Sequence, residues 1–171
     1  MNIYDTIKTR RSVRAYKPDP IPEDKLQRIL DAARLAPSAH NAQDWKFIVA
    51  RNPQKRRQLA KAAASQNFIA QAPVIIAGVS LNPTHIMSND VPAYAVDLAI
   101  TLDHLTLAAV EEGLGTCWIG AFNQEEAKRI LDIPEQYKIV ALMPLGYPLD
   151  KLASKTRKPL KEVICEEKFC K

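Results

Sequence analysis

The sequence predicts an α+β fold, a mixed sheet packed by helices with a long buried helix at its centre. Three observations carry that reading. Residues 93–112 are apolar on every side of a helical wheel, four or five short apolar runs have strand length, and helical stretches alternate with them. The 171 residues form a single domain over 1–171, with no repeat, low-complexity tract or linker to divide them.

Taken in order, residues 4–9 read as a short helix running into Arg10-Arg11-Ser12-Val13-Arg14-Ala15-Tyr16. Pro18, Pro20 and Pro22 impose an extended connection. Over 22–36, Leu26, Ile29, Leu30 and Ala33 recur at i, i+3, i+4 and i+7, one face of a helix that opens on proline and is stopped by Pro37. The polar loop 37–43 leads into a strand at 45–50, and 53–64 form a basic surface helix. Residues 73–79 (PVIIAGV) are apolar without interruption, the pattern of a strand buried on both faces. Within 93–112, Asp97, Asp103 and His104 keep the longest uncharged stretch well short of the about 20 residues a membrane span needs. The segment is therefore a core helix that also faces a second subunit, and Gly113 is placed to end it. Residues 115–119 read as a strand, 124–131 as a helix and 138–145 as a strand before the turn 146–148. The segment from 149 onward carries Leu152, Leu160, Val163, Ile164 and Phe169 and is expected to pack on a partner subunit.

Hydrophobic residues are 47% and charged residues 25% of the chain, an ordinary globular mixture that excludes a disordered tail or a fibre. The five glycines, at 78, 113, 115, 120 and 146, fit neither a G-x-G-x-x-G turn nor a G-x-x-x-x-G-K-[ST] loop, so any phosphate site is built another way. Net charge is +5, but residues 1–20 hold +3 and 151–171 hold +4, leaving a slightly acidic body. Basic ends of this kind fit either a small anion gripped between them or two solvated termini. Aromatics are only 6% and no basic stripe runs along a helix, so a nucleic-acid module ranks last. With three cysteines and no signal-peptide region, the chain reads as cytoplasmic, and Cys165 and Cys170 are expected as free thiols. A metal site is not expected.

Arg10, Ser12 and Arg14 alternate, so on an extended backbone two guanidinium forks and a hydroxyl face one way. That set suits a monophosphate; on spacing alone a solvated basic turn fits equally well. The loop 37–43 offers Ser38, His40, Asn41 and Gln43, which suit the polar edge of a heterocycle but are also ordinary loop residues. No nucleophile elbow, metalloprotease motif or acid–base pair is present, and Cys117 reads as a packed small hydrophobe. Anion grips without a catalytic pair point to a cofactor as the reactive group.

At these residues the chain resembles the FMN-dependent nitroreductase family. The resemblance rests on Arg10-Arg11-Ser12-Val13-Arg14-x-Tyr16, on Ala36-Pro37-Ser38-Ala39-His40-Asn41-Ala42-Gln43-x-Trp45-x-Phe47, on Asp97, on Gly113-Leu114-Gly115-Thr116-Cys117-Trp118-Ile119-Gly120 and on Pro144-Leu145-Gly146-Tyr147-Pro148, all in order. It implies a homodimer with two FMN molecules at the subunit interface. Arg10, Arg11, Ser12 and Arg14 would hold the flavin phosphate together with Arg157, beside Lys158. Pro37, Ser38, Ala39, Asn41 and Gln43 would come from the other subunit, Asn67 would reach the pyrimidine edge, and the backbone at Ile119 and Gly120 would flank the reactive side of the ring. Two departures stand out: Asp44 replaces the proline usual before the tryptophan, and the chain lacks the insertions that cover the substrate in larger members.

The resemblance further implies an enzyme moving electrons from NAD(P)H to a nitroaromatic, quinone or similar flat small-molecule acceptor by a ping-pong mechanism, with the flavin N5 and no catalytic side chain carrying the chemistry. The alternative is a non-catalytic FMN-binding redox sensor. Neither reading involves nucleic acid or a membrane.

Overall fold

The structure is a computed structural model that describes residues 2–149 and 156–170. Its frame is a four-stranded sheet of β1 (Trp45–Ala50), β2 (Val74–Ser80), β3 (Gly115–Thr116) and β4 (Lys138–Gly146), in the order β1-β2-β4-β3. All three ladders are antiparallel; the parallel element that makes the sheet mixed is the bridge from Ser12 to Thr116 at its edge. Every residue of β2 is buried because it has a neighbour on each side and helices on both faces, which explains its unbroken apolar run. Ile75, Ala77 and Val79 join the cluster formed with Leu59, Ile69 and Leu131, whereas Val74 and Ile76 pack with Leu26, Ile29, Leu102 and Leu105. Opposite Gly78 and Val79 the partner steps from Ala141 to Ile139, leaving Val140 as the extra residue of a β-bulge.

The helices are α1 (Ile3–Thr9), α2 (Glu23–Arg34), α3 (Pro53–Ala62), α4 (Phe68–Gln71), α5 (Ala93–Glu111) and α6 (Gln124–Leu131). Leu26, Ile29 and Ala33 form the buried stripe of α2, and Asn52 and Asn123 cap α3 and α6 with their side chains. On α5, Leu98, Leu102, Leu105 and Ala109 are buried against the sheet and α2, while Val96 is 36% exposed. The side of α5 left open among the described residues continues into the exposed Ile3 and Leu35. Between them lies a shallow apolar hollow of about 650 Å³ walled by Ile3, Leu35, Leu107 and Ala108. The expected core helix is thus half core; its second apolar face has no cover from the described residues of its own chain.

Residues 12–17 run along the β3–β4 edge. Val13 N–H donates to Thr116 O at 2.9 Å, Lys17 N–H to Tyr147 O at 2.9 Å, and Leu149 N–H returns to Ala15 O at 3.0 Å. Two glycines allow this approach: a Cβ on Gly115 would sit 2.3 Å from Val13 Cγ2, and one on Gly146 would sit 2.6 Å from Pro73 Cδ and 3.1 Å from Tyr16 Cδ1. Tyr16 is buried, and its hydroxyl donates toward Val13 O at 2.8 Å and Pro144 O at 3.3 Å.

Residues 156–170 are all exposed and hold one 3₁₀ turn, Leu160–Glu162. Among the described residues this tail is not buried against its own chain. The free-thiol expectation for Cys165 and Cys170 is overturned: they form a disulfide. The turn and the left-handed Glu167 fold the tail back so that the two Cα atoms stand 5.7 Å apart, within bonding reach. Cys117 is buried and outside the disulfide, as expected.

Candidate functional site

The first part of the site is the extended segment after α1. Arg10 ends the helix at φ −52°, ψ 129°, and the backbone stays extended through the Ser12–Thr116 bridge. Alternation on such a backbone puts Arg10, Ser12 and Arg14 on one side, with Val13 locked beneath Gly115. Neither Arg10 nor Arg14 forms an ion pair among the described residues, so both forks keep their donors for a ligand. Arg11 Nη1 donates to Arg10 O at 2.8 Å and to Lys8 O, at the carbonyl end of α1.

The second part is the loop 37–43 between α2 and β1. It holds a short 3₁₀ turn, Ala39–Asn41, with His40, Asn41 and Gln43 at φ 53°, 55° and 54°. Three L residues in the left-handed region so close together are strained, a condition that clusters at ligand clamps. The loop is tied internally: Gln43 N–H donates to Ser38 Oγ at 3.0 Å and Gln43 Nε2 to Asn41 O at 3.1 Å. It is tied externally by Ala39 N–H donating to Asp97 Oδ1 at 3.0 Å and by the His40 ring lying 6.3 Å from that of His85. Asp44, the departure from proline, anchors the neighbouring turn: its carbonyl accepts from Leu81 N–H at 3.0 Å and its carboxylate from Asn82 Nδ2 at 3.4 Å.

The remaining expected residues lie apart. Ile119 is buried and pairs with Leu142 through two 3.0 Å backbone bonds, which leaves the adjacent Gly120 exposed beside the 43% exposed Trp118. Asn67 is exposed at the start of α4, after the left-handed Ala64 and Ser65. Arg157 stands in solvent with its guanidinium on the neighbouring Thr156 O at 3.0 Å, and no hydrogen bond joins it to Arg10, Ser12 or Arg14 among the described residues.

Helix α5 separates the two main parts. The loop is fastened at Asp97 near its start, whereas Thr6 Oγ1 of α1 reaches Glu111 Oε2 at 3.4 Å at its end, where β3 and the arginine segment follow. Fourteen residues at about 1.5 Å each put these anchors roughly 21 Å apart. Within one chain the two parts therefore stand toward opposite ends of α5.

The model of the nitroreductase family matches residues 7–81 and 63–147. The chain belongs to the nitroreductase family. A crystal structure of a nitroreductase family protein from Clostridium novyi NT superposes with a TM-score of 0.83 at 38% identity, covering 88% of this chain and 87% of that one. A Thermus thermophilus protein named NADH dehydrogenase is 32% identical over 91% of each chain. A Bacillus subtilis FMN reductase [NAD(P)H] is 28% identical over 98% of this chain and 74% of its own length.

The sequence places Asp97 in the core helix and in the family pattern without assigning it a partner; the signal is an acid within the apolar stretch 93–102. Burial of Tyr16, which pushes its phenol well above the ordinary tyrosine range, was also not foreseen.

Proposed function

We propose that this protein is a cytoplasmic NAD(P)H-dependent FMN oxidoreductase acting as a homodimer, with each FMN held between two chains. The observation that carries the reading is the separation of arginine segment and loop along α5, which favours a site in which a second copy would supply the loop. The donor chemistry fits the group: two guanidinium forks without an ion pair among the described residues and the Ser12 hydroxyl match a phosphate monoester, and Gly115 and Gly146 let that segment lie flush on the sheet edge. Arg10, Ser12 and Arg14 would hold the phosphate, joined by Arg157 of the tail. Pro37, Ser38, Ala39, Asn41 and Gln43 would face the ribityl chain and ring, Asn67 the pyrimidine edge, and Ile119 and Gly120 the reactive side. When bound, FMN would supply the redox chemistry between NAD(P)H and a flat nitroaromatic or quinone acceptor in a ping-pong cycle. The protein's part is to orient and hold; Trp118 and the open backbone at Gly120 leave room for a planar partner over the ring.

The test is spectroscopic. The purified protein, reconstituted with FMN, should show a flavin band that bleaches with NADH or NADPH under argon and returns on adding a quinone or nitroaromatic, and it should sediment as a dimer. A protein that takes up no flavin overturns the proposal. Flavin uptake without faster NAD(P)H consumption by any acceptor would instead favour the redox-sensor reading.

A further inference from the structure

Asp97 is a carboxylate set among apolar residues of α5 and is 9% exposed. Among the described residues its side chain has one partner, the Ala39 N–H, across 58 positions of sequence. That N–H belongs to the first residue of the turn Ala39–Asn41. The residue positioned to cap the turn, Ser38, makes no such bond, because its Oγ accepts from Gln43 N–H instead. The cap is therefore supplied by α5. Thr101 Oγ1, donating to Asp97 O at 2.7 Å, ties that stretch of helix to its own next turn. The loop needs an outside hold, since His40, Asn41 and Gln43 all occupy left-handed backbone that L residues leave when free to do so.

We propose that Asp97 is a positioning residue of the cofactor site: by accepting the Ala39 N–H it keeps loop 37–43 in the left-handed form that presents Ser38, Asn41 and Gln43 to the flavin held by the second copy. This rests on the loop being a flavin contact, as proposed above. The hold is an acceptor at a fixed place, so a side chain that keeps the oxygen keeps the function. An apolar side chain releases the loop and leaves the Ala39 N–H without a partner.

Three variants separate this from a general packing role. Asp97→Ala removes the acceptor, Asp97→Asn keeps an amide oxygen there, and Ala39→Pro removes the donor at a first helical position, where proline is accepted. Hydrogen exchange on the flavin-free protein should show residues 38–43 of Asp97→Ala exchanging about tenfold faster, with β2 unchanged, and titration should show FMN binding about five- to tenfold weaker. Asp97→Asn should stay within about twofold of wild type in both, Ala39→Pro should match Asp97→Ala in FMN affinity, and combining the two should add nothing further. Unchanged loop exchange in Asp97→Ala overturns the proposal, and so does an Asp97→Asn variant as impaired as Asp97→Ala. Where Asp97→Ala fails to fold, Asp97→Asn and Ala39→Pro decide. A wild-type protein that binds no FMN defeats the functional reading while the exchange comparison still tests the clamp.

Discussion

Arg10 and Arg157 carry the same charge near opposite ends of the chain, yet the first is rooted in the sheet edge and the second stands in solvent. Around Arg10 the backbone is fixed by Val13 under Gly115, by the Ser12–Thr116 bridge and by the buried Tyr16 hydroxyl. Around Arg157 every described residue from 156 to 170 is exposed, and the one covalent tie, Cys165–Cys170, closes the tail only on itself. Equal charge thus comes with unequal order. A seat for an anion is made by shape (a missing Cβ, a buried ring), and the described part of the tail has none of its own.

The largest expected effect comes from filling the seat. Gly115→Val should cost about 1–3 kcal/mol in urea unfolding through overpacking against Val13 and should abolish measurable FMN binding. Gly120→Ala, whose Cβ would meet nothing nearer than 3.7 Å, should shift stability by less than about 0.5 kcal/mol. Next come the charges. By calorimetric titration, Arg10→Ala and Arg14→Ala should each weaken FMN about 10- to 100-fold, as expected for a charge-assisted hydrogen bond from a fixed group. Arg157→Ala should cost about fivefold, because an arginine held by no packing gives back side-chain entropy on binding. Equal losses would mean that the partner seats the tail as firmly as Gly115 seats Val13.

A smaller effect should follow from Tyr16→Phe, which leaves Val13 O and Pro144 O without their donor and should cost about 1–2 kcal/mol. It also carries a pH signature. Burial raises the Tyr16 phenol, so above about pH 10 the folded protein keeps a proton that the unfolded chain has released, and stability falls as pH rises. Melts between neutral and strongly alkaline pH should show a flatter decline for the phenylalanine variant. Least of all, replacing Cys165 and Cys170 by serine should leave the melting temperature unmoved, since the short loop they close touches none of the core. A clear drop would show the tail to be part of the folded body.

Helices with a face to bury were legible from spacing alone: α2 and α6 fall where Leu26, Ile29 and Ala33, and then residues 124–131, put them. The strand β2 was legible because burial on both faces leaves no polar position to confuse it. The strand order was not, since β1-β2-β4-β3 depends on which apolar runs meet and not on any one of them. Residues 115–119 gave a strand of only two residues plus the Ile119–Leu142 bridge, and the four-residue α4 has too little length for a period to show. In the site, alternation found Arg10, Ser12 and Arg14 but could not see that a neighbouring helix end would claim Arg11. The Asp97 bond to Ala39 and the Cys165–Cys170 disulfide escaped for the same reason: both depend on backbone turns that no periodicity announces.

The edge contact at Gly115 and Gly146 also sets a timetable. Tyr16 closes onto Pro144, 128 residues further along, and β3 exists only once β4 is there to pair with it. During vectorial synthesis, which delivers about 5–20 residues each second, residues 12–16 leave the ribosome well before the strand they dock on. Loss of the final strand through a premature stop would leave the arginine hook made but unmounted, so truncated chains would lose the ability to retain cofactor before losing the helices that precede it.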